Sequence, residues 1–274
     1  MPLPREAAGG AMPQLSTSPQ APLLRARGVT LQYKTPDQLI TATYRVSFDI
    51  FPAERFVILG PSGCGKSTVL KAIAGFLHPV EGEILLKNHP VAEPGPDRMM
   101  VFQEFDQLLP WKTVRQNVML PMLENGIARA EAEGRARHVI TKVNLTDFVD
   151  AYPHMLSGGM KQRCAIARAM AMQPDMLLMD EPYASLDALT RRRMQDELLQ
   201  LWDDIRFTLV FVTHSIEEAV IIGSRILVLS ARPGQVRAEL NSPGFAHGER
   251  AGPAFQALVQ RIHAMLFGDD QAKP

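Results

Sequence analysis

The chain has 274 residues, of which 46% are hydrophobic, and its 29 basic and 29 acidic residues give a formal net charge of zero. This length suffices for one large domain or two small ones. The balanced charge argues against a nucleic-acid partner, because proteins that bind nucleic acids usually carry a basic excess.

Secretion and membrane insertion are not indicated by the sequence. Residues 1–22 are rich in Ala, Gly, Pro and Ser and lack the apolar core of a secretory signal, so we expect a disordered N-terminal tail there. The apolar runs are far shorter than the ~18 residues of a membrane-spanning helix. Cys64 and Cys164 are too few for a disulfide framework, and they favour a reducing, cytosolic setting.

The first ordered segments are predicted to be two strands of an antiparallel sheet. Residues 24–33 and 40–50 alternate between apolar and polar side chains, and Thr35-Pro36-Asp37 marks a turn between them. Tyr33 closes the first strand. A tyrosine in such a place is most often a packing residue, and the alternative is that its ring stacks on an adenine.

A phosphate-binding loop is indicated by the G-x-x-x-x-G-K-S spacing of Gly60-Pro61-Ser62-Gly63-Cys64-Gly65-Lys66-Ser67-Thr68. We call residues 60–68 the phosphate loop. A short β-prone run precedes it and a helix-prone run follows, which is the context the motif requires and which a chance glycine-rich turn before a lysine would lack. Glycines let successive N–H groups face one anion, and the helix N-terminus adds positive partial charge. Lys66 is expected to reach the β- and γ-phosphates, and the Ser67 hydroxyl to bind Mg²⁺.

Two further strands follow, at 82–87 and 98–103. The second is predicted to be buried and to end on Gln103. A polar residue at the carboxyl end of a strand is well placed to meet a ligand in an α/β sheet. The alternative is a glutamine that only caps a loop.

Residues 104–155 interrupt the α/β pattern and are predicted to form a helical insertion. The segment from Phe105 to Trp111, which we call the docking segment, is unusually apolar for a connection, so it either packs inward or meets a partner. Helices are predicted at 113–123, where Pro121 limits the helix, at 128–143 and at 146–151.

A second arrangement suited to an anion lies at Ser157-Gly158-Gly159, before a helix predicted from Cys164. We call residues 157–159 the signature segment. A hydroxyl, free backbone N–H groups and a helix N-terminus together favour an anion. Seen alone the signal is weak, because capped helix starts are common.

Two carboxylates, Asp180 and Glu181, end the next predicted strand, which begins at Met176. One carboxylate facing a phosphate loop is what Mg²⁺ chemistry needs, and the second can orient or deprotonate a water. A helix over 188–205 and a strand over 207–213 follow, and the strand ends on His214, at an edge where ligand-binding residues gather. A lone histidine is otherwise usually structural.

The last part of the chain contains three further elements. Ser215 is predicted to cap a helix that carries Glu217 and Glu218 in its first turn. A strand over 225–229 leads to a turn at Arg232-Pro233-Gly234. An amphipathic helix is predicted over 255–267.

The order of these motifs resembles the ATP-binding cassette (ABC) ATPases of ABC transporters. The resemblance covers roughly residues 24–235, and a Ser-Gly-Gly signature followed by a strand ending in Asp-Glu is specific to that family. It implies an α/β fold with a P-loop NTPase (RecA-like) core, an antiparallel β subdomain and an α-helical subdomain insertion. We expect a disordered tail over 1–22, an ATPase domain over 23–240 with its helical subdomain at about 104–172, and a C-terminal helical tail over 241–274.

The resemblance implies a role for each motif position. The phosphate loop would be the Walker A loop that binds ATP, and Asp180 would be the Walker B aspartate that holds Mg²⁺. Glu181 would polarise the attacking water, and His214 would contact the γ-phosphate. The predicted catalytic residues are Lys66, Gln103, Glu181 and His214, and the predicted metal ligands are Ser67, Gln103 and Asp180.

Further roles implied by the resemblance involve nucleotide recognition and a second copy of the chain. Tyr33 falls where the family places its adenine-stacking aromatic residue. Ser157, Gly158 and Gly159 would bind the γ-phosphate of ATP held by the second copy, in a head-to-tail dimer. Asp187 would lie at the dimer seam. Met160 departs from the glutamine common in the family, at a position peripheral to phosphate contact.

A finer resemblance points to one branch of importers. Gln103-Glu104 followed by Leu108-Leu109-Pro110-Trp111 looks like the branch that energises nitrate, sulfonate and taurine uptake, as does the run from Ser230 to Gly234. This implies an ATPase, peripheral on the cytoplasmic face of the cell membrane, that powers uptake of a small anionic solute. Integral membrane permease subunits would dock at the docking segment, and a periplasmic or extracellular solute-binding protein would take part indirectly.

Two other classes of protein remain as alternatives. A soluble ABC-type ATPase of DNA repair would split the motifs with a long coiled coil, and one of translation would carry two cassettes. A small-molecule kinase shares only the phosphate loop and gives the signature segment no role.

Overall fold

The computed structural model describes residues 21–34, 38–103, 107–245, 249–250 and 252–268. Two sheets organise the chain. The four-stranded sheet has the order β2-β1-β4-β5 and is antiparallel, as predicted. Its strands are β1 (Leu24–Lys34), β2 (Leu39–Ile50), β4 (Glu81–Leu86) and β5 (His89–Pro90). The turn predicted at Thr35-Pro36-Asp37 lies outside the described residues.

The six-stranded sheet has the order β10-β9-β3-β8-β7-β6. The strands from β9 to β6 run parallel, so their carboxyl ends meet at one edge. These strands are β3 (Arg55–Leu59), β6 (Arg98–Val101), β7 (Met176–Asp180), β8 (Thr208–Thr213), β9 (Arg225–Leu229) and the antiparallel β10 (Val236–Asn241). The decisive feature for the site is that β8 lies between β3 and β7.

Both faces of the parallel sheet are covered, which explains its continuous apolar strands. Phe56 and Ile58 of β3 face a core shared with the antiparallel sheet, whereas Val57 and Leu59 face a second core. All four side chains are fully buried. The sheet therefore holds its edge rigidly.

Seven α-helices lie in the described part of the chain. They are α1 (Lys66–Ile73), α2 (Val114–Glu124), α3 (Arg129–Lys142), α4 (Gly158–Met170), α5 (Ala188–Ile205), α6 (Ile216–Ile222) and α7 (Pro253–Phe267). Short 3-10 turns lie at Thr146–Phe148 and Pro153–Met155. Helices α2, α3 and α4 pack against one another and form the predicted helical insertion. None of the described helices is both long enough and apolar enough to span a membrane.

Several elements differ from the sequence-based expectation, and one of them is the helix predicted over 146–151, where only the 3-10 turn Thr146–Phe148 is present. Helix α2 continues through Pro121 and ends at Glu124, one residue beyond the predicted end, because Met122 is fully buried in the helical core and this packing outweighs the proline. Strand β6 ends at Val101, so Gln103 lies two residues beyond the strand. Helix α4 begins at Gly158, six residues earlier than predicted.

Strand β10 was not predicted at all. Four of its six residues are exposed, because it is the last strand of the sheet and one side of it lies open. Val236, Ala238 and Leu240 alternate with Arg237, Glu239 and Asn241, so the period of a strand is present in the sequence and was overlooked.

Candidate nucleotide site

The phosphate loop connects β3 to α1 at the carboxyl edge of the parallel sheet. Gly65 is the last loop residue before the helix, and its φ of 95° lies in the left-handed region that favours glycine. A Cβ atom there would lie 2.7 Å from Thr43 Cγ2 and 2.8 Å from the Ala42 carbonyl oxygen. Strand β2 thus supports the loop from behind, and only glycine fits between them.

Lys66 is buried beneath the loop, with 4% of its surface exposed. Its Nζ donates to the carbonyl oxygens of Gly60, at 3.0 Å, and of Pro61, at 3.1 Å. The same nitrogen lies 3.6 Å from Glu181 Oε1. A positive charge is therefore held inside the loop by partners that can be exchanged for phosphate oxygens.

Ser67 and Asp180 are joined across the sheet. Ser67 Oγ donates to Asp180 Oδ1 at 2.8 Å. Burial raises the pKa of the Asp180 carboxyl, and the Ser67 hydrogen bond partly opposes that shift. A hydroxyl and a carboxylate are oxygen ligands of the kind that Mg²⁺ prefers, and Mg²⁺ typically takes only one or two protein ligands together with substrate phosphates. The pair fits such an ion.

Glu181 stands between the lysine and the histidine. Its backbone has a positive φ of 43°, and its N–H donates to the Val212 carbonyl oxygen of β8 at 3.0 Å. Its Oε2 lies 2.7 Å from His214 Nδ1, and its Oε1 faces Lys66. The Glu181 side chain is 18% exposed and that of His214 is 51% exposed, so both groups can meet solvent or a ligand. A carboxylate so placed can accept a proton from a water.

A buried layer supports His214 from below, and sequence analysis missed it. Glu218 is almost fully buried, and its carboxylate accepts hydrogen bonds from the Thr213 hydroxyl and from Gln195 Nε2, the latter at 3.1 Å. Burial raises the pKa of Glu218. The backbone N–H of Ser215 donates to Thr213 Oγ1 at 3.0 Å, so this layer fixes the residues on both sides of His214.

Sequence analysis had assigned Glu218 only to the first turn of α6. Ser215 does cap that helix, since its Oγ accepts from the Glu218 N–H at 3.3 Å. A glutamate three residues after a serine cap usually turns back to the cap. Here the side chain points inward, and the sequence carries no signal for that choice.

The remaining predicted residues lie apart from this group. Ser157 caps α4, with its Oγ accepting from the Met160 N–H at 3.3 Å, and Asp187 caps α5, with Oδ1 accepting from the N–H groups of Leu189 and Thr190 at 3.0 and 2.9 Å. The Thr190 hydrogen bonds lower the pKa of Asp187. Within the described ranges, no hydrogen bond joins either residue to the phosphate loop.

Gln103 and Tyr33 are also separate from the cluster. Gln103 is exposed beyond β6, and no hydrogen bond to Ser67 or Asp180 is present among the described residues. Tyr33 lies near the end of β1 with 38% of its surface exposed. The chain alone thus assembles Lys66, Ser67, Asp180, Glu181 and His214, and leaves Tyr33, Gln103, Ser157 and Asp187 exposed and apart from that group.

This fold and this cluster define a P-loop ATPase in which β8, with its histidine, separates the phosphate-loop strand from the carboxylate strand. Residues 43–184 match the ABC transporter family. The chain therefore belongs to the ABC transporter family, and it is a subunit that binds and hydrolyses ATP.

Similar proteins agree on the family. The taurine import ATP-binding protein TauB of Rhizobium johnstonii is 46% identical over 243 residues, which cover 85% of this chain and 92% of that protein. The ATP-binding cassette MJ0796, in a dimeric post-hydrolysis state bound to ADP and Pi, is 34% identical with a TM-score of 0.68, covering 81% of this chain and 100% of that one. The cbiO1 protein from Clostridium perfringens, part of the ABC transporter complex cbiONQ, is 26% identical with a TM-score of 0.73, covering 89% and 98%.

These matches confirm the predicted fold class and the resemblance to the nitrate, sulfonate and taurine branch.

Proposed function

We propose that the chain hydrolyses ATP to power an ABC importer for a small anionic solute of the nitrate, sulfonate or taurine type. The similarity to the taurine import protein TauB supports the importer, and one observation carries the ATP hydrolysis. The Glu181 carboxylate lies between the Lys66 ammonium and the His214 imidazole, beside an anion-binding loop. Glu181 would act as the base, Lys66 would supply a positive charge and His214 would contact the γ-phosphate, and all three side chains lie where the terminal phosphate of ATP would bind.

Nucleotide binding is proposed to replace contacts that the loop now makes with itself. Lys66 would exchange the carbonyl oxygens of Gly60 and Pro61 for phosphate oxygens. The loop N–H groups and the N-terminus of α1 would complete the anion site. Tyr33, exposed at the end of β1, would stack on the adenine.

Ser67 and Asp180 would hold Mg²⁺, with Gln103 as a further ligand, and the ion would supply charge neutralisation on the phosphates. Their present hydrogen bond places both oxygens at one point of the sheet edge. Glu181 would accept the proton of the attacking water. His214, fixed from below by the layer of Thr213 and Glu218, would contact the γ-phosphate.

A complete site is proposed to need a second copy of the chain. The signature segment and Asp187 lie on helix starts that make no hydrogen bond to the phosphate loop within the described residues. In a head-to-tail dimer, the N–H groups at the start of α4 would meet ATP held by the partner. The dimeric state of the similar MJ0796 cassette supports this arrangement.

The docking segment is proposed to receive membrane permease subunits. In its described part, Leu108 is buried at 3% exposure and anchors the segment, while Trp111 is 69% exposed. Phe105 lies outside the described residues. An exposed tryptophan on an anchored segment is typical of a binding surface. The chain would then sit peripherally on the cytoplasmic membrane face, and a solute-binding protein would act through the permease.

Co-purification tests the importer proposal. We expect the tagged full chain, extracted with mild detergent from its own cells, to bring down integral membrane subunits, and Trp111→Ser to lose them while its ATPase activity in isolation is unchanged. The control is Phe76→Ser, which removes another exposed aromatic residue, 53% exposed, outside the docking segment.

Two outcomes would contradict parts of the proposal. If Trp111→Ser retained the membrane subunits as the parent does, the docking site would lie elsewhere. If the parent came down with ribosomes or with no membrane protein, the chain would be an ABC-type ATPase that is not coupled to transport.

A further inference from the structure

The loop between β9 and β10, residues 230–235, lies directly against the phosphate loop. Arg232 Nε donates to the Gly63 carbonyl oxygen at 2.7 Å. A Cβ atom on Gly63 would lie 2.4 Å from Arg232 Nη2, so the guanidinium packs on the bare α-carbon of that glycine. This turn, which the sequence analysis noted after the strand over 225–229 and as part of the resemblance to the importer branch, is therefore a neighbour of the nucleotide site.

This turn is held in place from its other side by β2. The Gly234 N–H donates to the Ala42 carbonyl oxygen at 2.9 Å, and the Gly234 carbonyl oxygen accepts from the Tyr44 N–H at 2.9 Å. A Cβ atom on Gly234 would lie 2.1 Å from the Cys64 carbonyl oxygen, so the turn touches the phosphate loop at a second point. Arg232 thus projects from a fixed base and not from a free surface loop.

The hydrogen bond to Gly63 controls how the phosphate loop presents its N–H groups. The peptide between Gly63 and Cys64 is planar and trans, so its carbonyl and its N–H point in opposite directions. Its N–H, which belongs to Cys64, donates to the Pro61 carbonyl oxygen inside the loop at 3.3 Å, a long bond that a phosphate oxygen would replace. While Arg232 binds the carbonyl oxygen, that oxygen cannot turn into the space where phosphate oxygens bind. Gly63 has a φ of 76° and, as a glycine, has unusual freedom to adopt other conformations, so an external restraint matters here.

Charge adds to this restraint. The guanidinium carries a permanent positive charge, and only one of its three nitrogens is used in the bond to Gly63. It therefore places a cation beside a loop that binds a polyphosphate. A lysine would keep the charge and lose the fixed planar geometry, whereas a glutamine would keep a donor and lose the charge.

We infer that Arg232 is a positioning residue for the phosphate loop, which holds the Gly63 peptide in its anion-binding orientation before nucleotide arrives. The inference rests on the proposed nucleotide role of residues 60–68. Arg232 acts through Gly63 and takes no part in proton transfer. It follows that its loss weakens the binding of nucleotide more than it slows the turnover of nucleotide already bound.

The test compares Arg232→Ala, Arg232→Gln and Arg232→Lys with the parent, and uses Arg129→Gln as a control on an exposed arginine at the start of α3. Affinity for ATP and for ADP is measured by calorimetric titration, and kcat and KM by phosphate release. For Arg232→Ala we expect both affinities to fall about tenfold, the scale of one charge-assisted hydrogen bond, and KM to rise with kcat within about twofold. Arg232→Lys and Arg232→Gln should recover part of the loss.

Two results separate this inference from the proposed function. If the parent bound no ATP, the nucleotide role itself would fail. If the parent bound ATP and Arg232→Ala bound ATP and ADP as tightly as the parent, only the positioning role would be overturned. A fall in kcat with unchanged affinity would also overturn it. Thermal unfolding of each nucleotide-free variant identifies any variant that has lost its fold. If Arg232→Ala is unfolded, the nucleotide affinity of Arg232→Lys is compared with that of the parent instead.

Discussion

The phosphate-loop side of the molecule differs sharply from the signature side. On the first, Lys66, Ser67, Asp180, Glu181 and His214 contact one another at the edge of one rigid sheet. On the second, Ser157 and Asp187 are satisfied by their own helix starts. The first side is built within one chain, whereas the second makes no hydrogen bond to the phosphate loop in the described part of the chain. In the head-to-tail dimer that we propose, this difference would let ATP join two copies.

The largest expected effect is on ATP affinity and comes from a substitution on the phosphate-loop side. Lys66→Ala removes the buried cation beneath the phosphate loop, and we expect ATP affinity to fall about a hundredfold, because the two proposed charge-assisted contacts to phosphates would be lost. Calorimetric titration with ATP measures it. Lys87→Ala is the matched control, since Lys87 forms an ion pair with Asp175, at 2.6 Å, after β4. Unchanged ATP affinity in Lys66→Ala would refute the assignment of the loop.

The smallest expected effect concerns the layer beneath His214 and depends on pH. Burial raises the pKa of Glu218, so the folded chain binds that proton more tightly than the unfolded chain does. The contribution of this group to the free energy of unfolding is fully present below the ordinary glutamate pKa of ~4.3. It is lost as the pH rises through the pKa that Glu218 has in the folded chain. Glu218→Gln cannot ionise and escapes that loss. We expect its Tm to exceed that of the parent by about 2 °C at pH 8 and to match it near pH 4.

Thermal unfolding across this pH range checks the prediction. Glu217→Gln, an exposed neighbour in the same turn of α6, separates burial from the simple loss of a charge near the helix start. A Glu218→Gln variant less stable than the parent at pH 8 would show that the hydrogen bonds from Thr213 and Gln195 outweigh burial.

Local pattern predicted the elements of the fold well. The apolar runs that became β3, β7 and β8 and the capped start of α6 were visible, because each of these patterns depends only on neighbouring residues. Strand order was not visible, since no local pattern states that β8 inserts between β3 and β7.

Contacts between distant segments were likewise hidden. The Lys66–Glu181 approach and the bond from Arg232 to Gly63 join segments far apart in the chain and depend on the assembled sheet. The inward turn of Glu218 competes with an equally good local capping role, so tertiary packing decides it. The motifs thus indicated which residues matter, and the sheet order shows how they meet.

The most direct test of the account is the oligomeric state of Glu181→Gln with ATP. If Glu181 activates water and the signature segment completes the site, this variant binds ATP without turnover, and light scattering after gel filtration shows a dimer with ATP and a monomer without it. Adding Ser157→Arg, which places a bulky side chain at the start of α4, should keep it monomeric with ATP bound. A Glu181→Gln variant that hydrolyses ATP at the parental rate, or that stays monomeric while ATP is bound, would contradict the account.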